Sequence, residues 1–131
     1  MAITLFVHLT WTTLDRRPMI GVSEAKFLRG FIPARAHTFG AKTLAMGIVQ
    51  DHLHVILEIP GEFNIPKMVQ SLKGASSCII NRESNVSQTR IRWCSGYDLR
   101  SVSPSHLPAA IAYVKGQGDR HPDLSIEKAP S

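Results

Sequence analysis

Three stretches of the chain are predicted to be β-strands, and they cover residues 3–13, 42–49 and 52–59. In the first and the third, every second position is apolar, which is the pattern of strands that bury one face. Only Gln50 and Asp51 separate the second stretch from the third, so we expect these two strands to form an antiparallel hairpin. A fourth strand, basic and aromatic, is predicted over residues 90–103 with an interruption near Gly96.

Apolar residues spaced three and four positions apart indicate helices in three other segments. The first covers about residues 23–38, where Pro33 should kink or divide the helix. The second begins after Asn64, a favourable N-cap, carries Pro66 in its first turn, and is the longest predicted element. The third covers about residues 105–117 and follows directly after a proline.

The predicted elements follow the order strand, helix, strand, strand, helix, strand, helix. This order is typical of an α+β, ferredoxin-like split βαβ sandwich with one additional C-terminal helix. We therefore expect a four-stranded antiparallel sheet whose first and third strands lie side by side at the centre. The helices between strands should cover one face, and the last helix should carry Tyr113. Residues 1–118 would form a single domain, followed by a loose tail over residues 119–131.

Two histidines separated by one residue begin the third strand. His52 and His54 share a strand face and lie about 6 to 7 Å apart, close enough to hold one metal ion or contact one phosphate. An isolated pair of this kind more often consists of partly buried histidines on a half-solvated sheet. Asp51 could orient a ligand histidine, although an aspartate at a strand turn more commonly shapes the turn. The choice between a metal or phosphate site and two structural histidines therefore depends on the other residues of the chain.

The last helix supplies further candidates for such a site. Tyr113 and Gln117 lie one helical turn apart, so their side chains can reach the same point. In the split βαβ arrangement, His8 and Thr10 of the first strand would lie beside the histidine pair. A tyrosine that merely completes the packing face of an amphipathic helix is the ordinary alternative. Together, however, a phenol, an amide and two imidazoles could serve one metal ion and one scissile phosphate.

Composition limits the classes of function. The 131 residues carry a formal net charge of +5, from 15 basic and 10 acidic side chains, which favours a nucleic-acid partner. Cys78 and Cys94 lack the Cys-x-x-Cys spacing of zinc knuckles and redox motifs. No apolar run reaches the roughly 18 residues that cross a bilayer, and no basic leader precedes the first strand. We therefore expect a cytoplasmic protein with no membrane partner.

Several motifs, taken in order, resemble the single-tyrosine HUH transposases of the insertion sequence 200/605 family. They are HLTWT (8–12), RRP (16–18), DHLH (51–54), LKGASS (72–77), WCSGY (93–97) and YVKGQ (113–117). Each motif alone is weak, but their shared order and spacing cover about residues 3–121. The chain thus resembles that family over nearly its whole length, and residues 1–118 would be one HUH transposase domain.

The resemblance implies an enzyme that cleaves and rejoins single-stranded or hairpin DNA and that acts as a homodimer. Tyr113 would attack a backbone phosphate and form a 5′-phosphotyrosine bond. His52, His54 and Gln117 would hold the metal, with Asp51 orienting a histidine. Imidazole and amide ligands by themselves suit zinc, manganese, nickel or copper, whereas the family implies Mg²⁺ or Mn²⁺. Candidate DNA-binding residues are Arg16, Arg17, Lys73, Arg90, Arg92 and Arg100, each of which could equally be a solvated surface residue.

Two other functions remain open at this point. A noncatalytic, domesticated nucleic-acid-binding protein of the same fold would need neither Tyr113 nor Gln117. A two-histidine RNA phosphodiesterase would need two His-x-Thr or His-x-Ser motifs. The HLT motif at residues 8–10 supplies one, but the HLH motif at residues 52–54 ends in histidine and fails as the second.

Overall fold

A computed structural model describes residues 4–83, 90–117 and 125–126. Two short 3-10 turns cover Leu14–Arg16 and Pro104–His106. The strands and α-helices, in chain order, are β1 (Thr4–Thr12), α1 (Val22–Thr38), β2 (Lys42–Ile48), β3 (His52–Pro60), α2 (Ile65–Arg82), β4 (Asp98–Val102) and α3 (Leu107–Lys115). The predicted order of elements is confirmed.

The four strands form one antiparallel sheet in the order β2-β3-β1-β4. As predicted, the first and third strands are neighbours at the centre. Thr10 of β1 lies opposite His54 of β3, and Thr12 lies opposite His52. Because side chains alternate across a strand, this register places the polar side chains of both central strands on the same face. The α+β fold with antiparallel sheet is thus the one expected.

Helices α1 and α2 cover the other, apolar face of the sheet. Alternate residues of the central strands, such as Leu9, Trp11 and Leu57, are buried there in the main core. Each such aliphatic or aromatic side chain contributes about 1.5–3 kcal/mol through removal from water. Helix α3 packs on the polar face over β2 and β3, where Val114 contacts Ala45 and Ile56. The histidines therefore lie between the sheet and α3.

Two elements differ in extent from what the sequence predicted. Helix α1 is not divided at Pro33, which was one of the two expected effects of that proline, and Ile32 and Ala36 on either side of it are both buried in the core. Strand β4 is shorter than predicted, since Gly96 takes a positive φ of 85° and turns the backbone before Asp98. The interruption near Gly96 is confirmed. Within the described ranges, no helix is both long and apolar enough to cross a membrane.

The tail predicted to be loose is described only at Ser125 and Ile126, and there the prediction is wrong. Ile126 is buried in the main core, and the side-chain amide of Gln50 donates to the carbonyl oxygen of Ser125 over 3.2 Å. One isoleucine among polar residues and prolines leaves no periodic signal, so its burial was not visible in the sequence. The other residues of the range 119–131 lie outside the described residues.

Candidate active site

Asp51 is buried at the turn between β2 and β3, and its carboxylate contacts a residue through each oxygen. Oδ1 lies 2.7 Å from Nδ1 of His52, and Oδ2 lies 3.2 Å from Nε of Arg16. An ionised carboxylate only accepts hydrogen bonds, so Nδ1 of His52 carries a proton. The Nε2 atom, on the opposite side of the ring, is then the atom that can bind a metal ion.

Gln117 faces His52 from just beyond the end of α3 and is only 1% exposed. Its Oε1 lies 3.3 Å from Nε2 of His52, while its Nε2 donates to the carbonyl oxygen of Tyr113 over 3.2 Å. When His52 is neutral, both facing atoms are acceptors, and a cation between them removes the repulsion of their lone pairs. Adjacent ligands of an octahedral ion are about 3 Å apart, so the separation also suits a divalent metal.

Gly47 of β2 sets the distance between α3 and the sheet. It pairs with His54 on the neighbouring strand. A Cβ atom at this position would collide with the carbonyl oxygen of Val114 and lie 2.9 Å from Cγ of Gln117. Only glycine therefore allows α3 to approach closely enough for Gln117 to reach His52.

His54 has two neighbours on β1. Nε2 of His8 lies 2.8 Å from Nδ1 of His54, and Oγ1 of Thr10 lies 2.9 Å from the same atom. Burial lowers the pKa of His8 below its ordinary value, although Asp98 nearby opposes that effect. The rings of His52 and His54 are 5.0 Å apart between centroids, so the two imidazoles share one site.

Tyr113 lies at the solvent-exposed edge of this site, and the residue is 38% exposed. Its ring centroid is 5.9 Å from that of His54 and 6.3 Å from that of His8. A cavity of about 440 Å³ opens here and is lined by His8, Thr10, His54, Asp98, Arg100, Ala110 and Tyr113. Tyr113 thus lies beside His54, His54 lies beside His52, and His52 contacts Gln117, so the phenol, the two imidazoles and the amide occupy one region of the molecule.

Comparison with known proteins identifies the family. The family model described as "Transposase IS200 like" matches residues 2–117. The chain belongs to this transposase family. A relative, the ISDra2 transposase TnpA of Deinococcus radiodurans, is 25% identical in an alignment of 121 residues, and the match covers 86% of this chain and 84% of that protein. The resemblance that the motifs suggested is thereby confirmed.

Two solved structures share the fold of this transposase. A putative transposase from Deinococcus radiodurans superposes with a TM-score of 0.68 at 23% identity, covering 95% of this chain and 94% of that one. A REP-associated tyrosine transposase bound to a REP hairpin superposes with a TM-score of 0.72 at 14% identity, covering 92% and 71%. At these identities the two likenesses concern the fold alone.

The arginines predicted to bind DNA differ in how close they lie to the site. Arg16 lies beside the site through Asp51, and Arg100 lines the cavity, where its Nε contacts Asp98 at 3.0 Å. Three more arginines are exposed and do not line that cavity: Arg17, Arg90 and Arg92. Their contacts with DNA stay predictions.

Lys73 has a structural role that its motif did not reveal. Its Nζ donates to the carbonyl oxygens of Cys94 and Gly96, each over 2.7 Å, and burial lowers its pKa. Ser76 of the same motif accepts a hydrogen bond from Nε1 of Trp93. Helix α2 therefore holds the segment that leads into β4.

Sequence reasoning missed the role of Gly47 and left the roles of His8 and Thr10 undefined. His8 and Thr10 do carry a signal, because their alternation on β1 predicts the same face as the histidine pair. The signal at Gly47 is ambiguous, since a glycine in a strand can indicate a bulge or a bend as well as the close approach of another backbone.

Proposed function

We propose that this transposase cleaves and rejoins single-stranded DNA through a 5′-phosphotyrosine bond, using Mg²⁺ or Mn²⁺. The observation that carries the proposal is the 3.3 Å contact between His52 Nε2 and Gln117 Oε1 beside Tyr113, because both atoms are acceptors when His52 is neutral. A protein that only bound nucleic acid would need neither this pair nor an exposed tyrosine above it. The geometry therefore favours catalysis over the noncatalytic alternative.

In the proposed reaction, Tyr113 is the nucleophile. Its phenol oxygen forms a bond to phosphorus and loses its proton, while the bond from phosphorus to the 3′-oxygen breaks and that oxygen takes up a proton. His52, His54 and Gln117 would hold the divalent ion. When bound, such an ion polarises the phosphate and stabilises the negative charge that develops on its oxygens. Because the covalent bond retains the energy of the phosphodiester, a 3′-hydroxyl can reverse the step without ATP.

The proposed substrate is single-stranded or hairpin DNA. The net charge of +5 and the exposed Arg100 at the cavity favour a phosphate backbone. The fold relative with a TM-score of 0.72 was solved with a hairpin bound, which supports the same class of substrate here. A scissile phosphate in the cavity would lie within reach of both Tyr113 and His54.

We also propose a homodimer, as the family resemblance implies. β2 and β4 are the outer strands of the sheet in the described residues, so either one offers backbone groups for pairing with a second subunit. Sedimentation at micromolar concentration tests this proposal, and a monomer there would contradict it.

The decisive experiment seeks the covalent bond. The full chain is incubated with Mn²⁺ or Mg²⁺ and with single-stranded, hairpin or fully paired oligonucleotides, and the digest is searched by mass spectrometry for a nucleotide on the peptide containing Tyr113. We expect the adduct with unpaired DNA, and its loss in Tyr113→Phe and after EDTA. Binding of the same DNA without any adduct would instead identify the noncatalytic alternative.

A further inference from the structure

His8 is the titratable side chain closest to His54 for which neither the motifs nor the proposed reaction provides a role. It lies on β1, and its Nε2 is 2.8 Å from Nδ1 of His54. Thr10 Oγ1 is 2.9 Å from the same nitrogen and 3.4 Å from Nε2 of His8. The three side chains therefore form one polar cluster around Nδ1 of His54.

Which ring nitrogen of His54 carries the proton determines which nitrogen can bind a metal ion. A neutral imidazole has one protonated nitrogen and one with a lone pair, and only the latter can bind a metal ion. If Nδ1 of His54 carries the proton, it donates to a neighbour in the cluster, and Nε2 presents its lone pair. His52 has the equivalent arrangement, with Asp51 as the acceptor at 2.7 Å.

We propose that His8 is a positioning residue of the metal site, whose Nε2 accepts the proton on Nδ1 of His54 and so directs Nε2 of His54 toward the ion. The inference rests on the proposed function, because it takes His54 as a ligand. His8 acts from behind the ring and is not itself a ligand. Consistent with this, the described residues contain no group of three His, Cys, Asp or Glu side chains that could hold a metal.

The two ligand histidines thus have acceptors of different charge. Asp51 is buried, and Arg16 accompanies its carboxylate. His8 instead lines the cavity beside Tyr113, where a DNA phosphate is proposed to bind. A carboxylate at this position would repel that phosphate, whereas a neutral imidazole supplies the acceptor without a negative charge.

The test measures Mn²⁺ binding to the full chain by calorimetry, with no DNA present. His8→Leu removes the acceptor, and we expect its dissociation constant to rise about 10- to 100-fold, the usual effect of losing an outer partner of a ligand histidine. His8→Gln places an amide oxygen where Nε2 lies, so it should return affinity toward that of the unmodified protein. His54→Ala marks complete loss of the ligand, and thermal melting verifies that each variant folds.

A second measurement determines which ring nitrogen of His54 is protonated. Nitrogen-15 chemical shifts of the His54 ring in the metal-free, unmodified protein should show the proton on Nδ1. In His8→Leu, the proportion of rings protonated on Nε2 should rise. His8→Glu adds a further distinction, because it should retain Mn²⁺ binding while weakening the binding of single-stranded DNA.

The possible results distinguish the role of His8 from the existence of the metal site. If Mn²⁺ binding depends on His54 but is equal in His8→Leu and the unmodified protein, the role of His8 is wrong and the metal site stands. A proton on Nε2 of His54 in the unmodified protein also overturns the role. If the unmodified protein binds no Mn²⁺, or binds it equally well without His54, the metal site fails and the inference fails with it.

Discussion

Asp51 connects the loop after β1 to the proposed metal site, because its two oxygens contact different residues. One holds the proton on Nδ1 of His52, and the other contacts the guanidinium of Arg16. Asp15 and Arg16 both have φ of 56°, an uncommon conformation for residues with a side chain. Backbone strain in this short turn thus accompanies the contact with Asp51, the residue that would orient His52 toward the proposed metal ion.

Replacement of Asp51 by asparagine keeps its shape and removes its charge. We expect Asp51→Asn to weaken Mn²⁺ binding about 10- to 100-fold and to slow DNA cleavage, because the hydrogen bond to His52 becomes weaker. Calorimetry and an oligonucleotide cleavage assay provide the measurements. Glu62→Gln, which neutralises an exposed carboxylate elsewhere, is the matched control. Equal Mn²⁺ affinity in both variants would show that Asp51 only shapes the turn.

At the scale of elements, the contact between α3 and β2 depends on the missing side chain of Gly47. Val114 anchors α3 on Ala45 and Ile56, and Gln117 follows two residues after Lys115, the last residue of that helix. A displacement of α3 by a fraction of an ångström would therefore separate Gln117 from His52. The close approach of α3 to β2 therefore determines both the packing of α3 and the distance between Gln117 and His52.

Gly47→Ala should displace α3 from the sheet. We expect the free energy of unfolding to fall by about 1–3 kcal/mol, as overpacking usually causes, together with weaker Mn²⁺ binding. Urea denaturation and calorimetry measure the two effects. Gly30→Ala in α1 is the control, since nothing lies within 4 Å of the added methyl group, and there we expect a gain of about 0.5–1 kcal/mol. Unchanged stability and affinity in Gly47→Ala would contradict the close-approach argument.

Lys73 connects α2 to the segment before β4 through two backbone carbonyls. Lys73→Met keeps most of the length but removes both hydrogen bonds, and we expect a loss of about 1–2 kcal/mol of stability, reduced by partial solvent screening. Lys67→Met, on an exposed position of the same helix, should change stability little.

The same pair of variants tests the predicted DNA contact of Lys73. If its ammonium neutralised a phosphate of single-stranded DNA, the slope of log affinity against log salt would decrease by about 0.7 in Lys73→Met. An unchanged slope with reduced stability would assign Lys73 to the fold alone.

For the whole molecule, the question is whether one subunit contains a complete site. Gln117 and Tyr113 lie beside His52 and His54 of their own chain. We therefore expect mixtures of Tyr113→Phe subunits with His52→Ala/His54→Ala subunits to remain inactive in cleavage. Recovery of activity in the mixture would show instead that α3 serves the partner subunit.

Features that depend on local periodicity could be predicted from the amino-acid sequence alone. Alternation along β1 and β3 specified which side chains face the core, because a strand repeats every two residues. Asn64 marked the start of α2, where its side chain accepts from the backbone of Lys67 at 3.0 Å. The spacing of Tyr113 and Gln117 likewise placed both on one helix face. The fold class followed from these local patterns and from the order of the elements along the chain.

Contacts between residues far apart in the chain could not be predicted in this way, because they depend on how the elements pack. The register of β1 against β3 brings His8 and Thr10 to Nδ1 of His54, and a shift of one residue would place them on the other face. Neither the clash that excludes a side chain at Gly47 nor the carbonyls that bind Lys73 is encoded by a nearby pattern. Such contacts arise when packed elements meet in three dimensions, so a periodic pattern along one element carries no information about them.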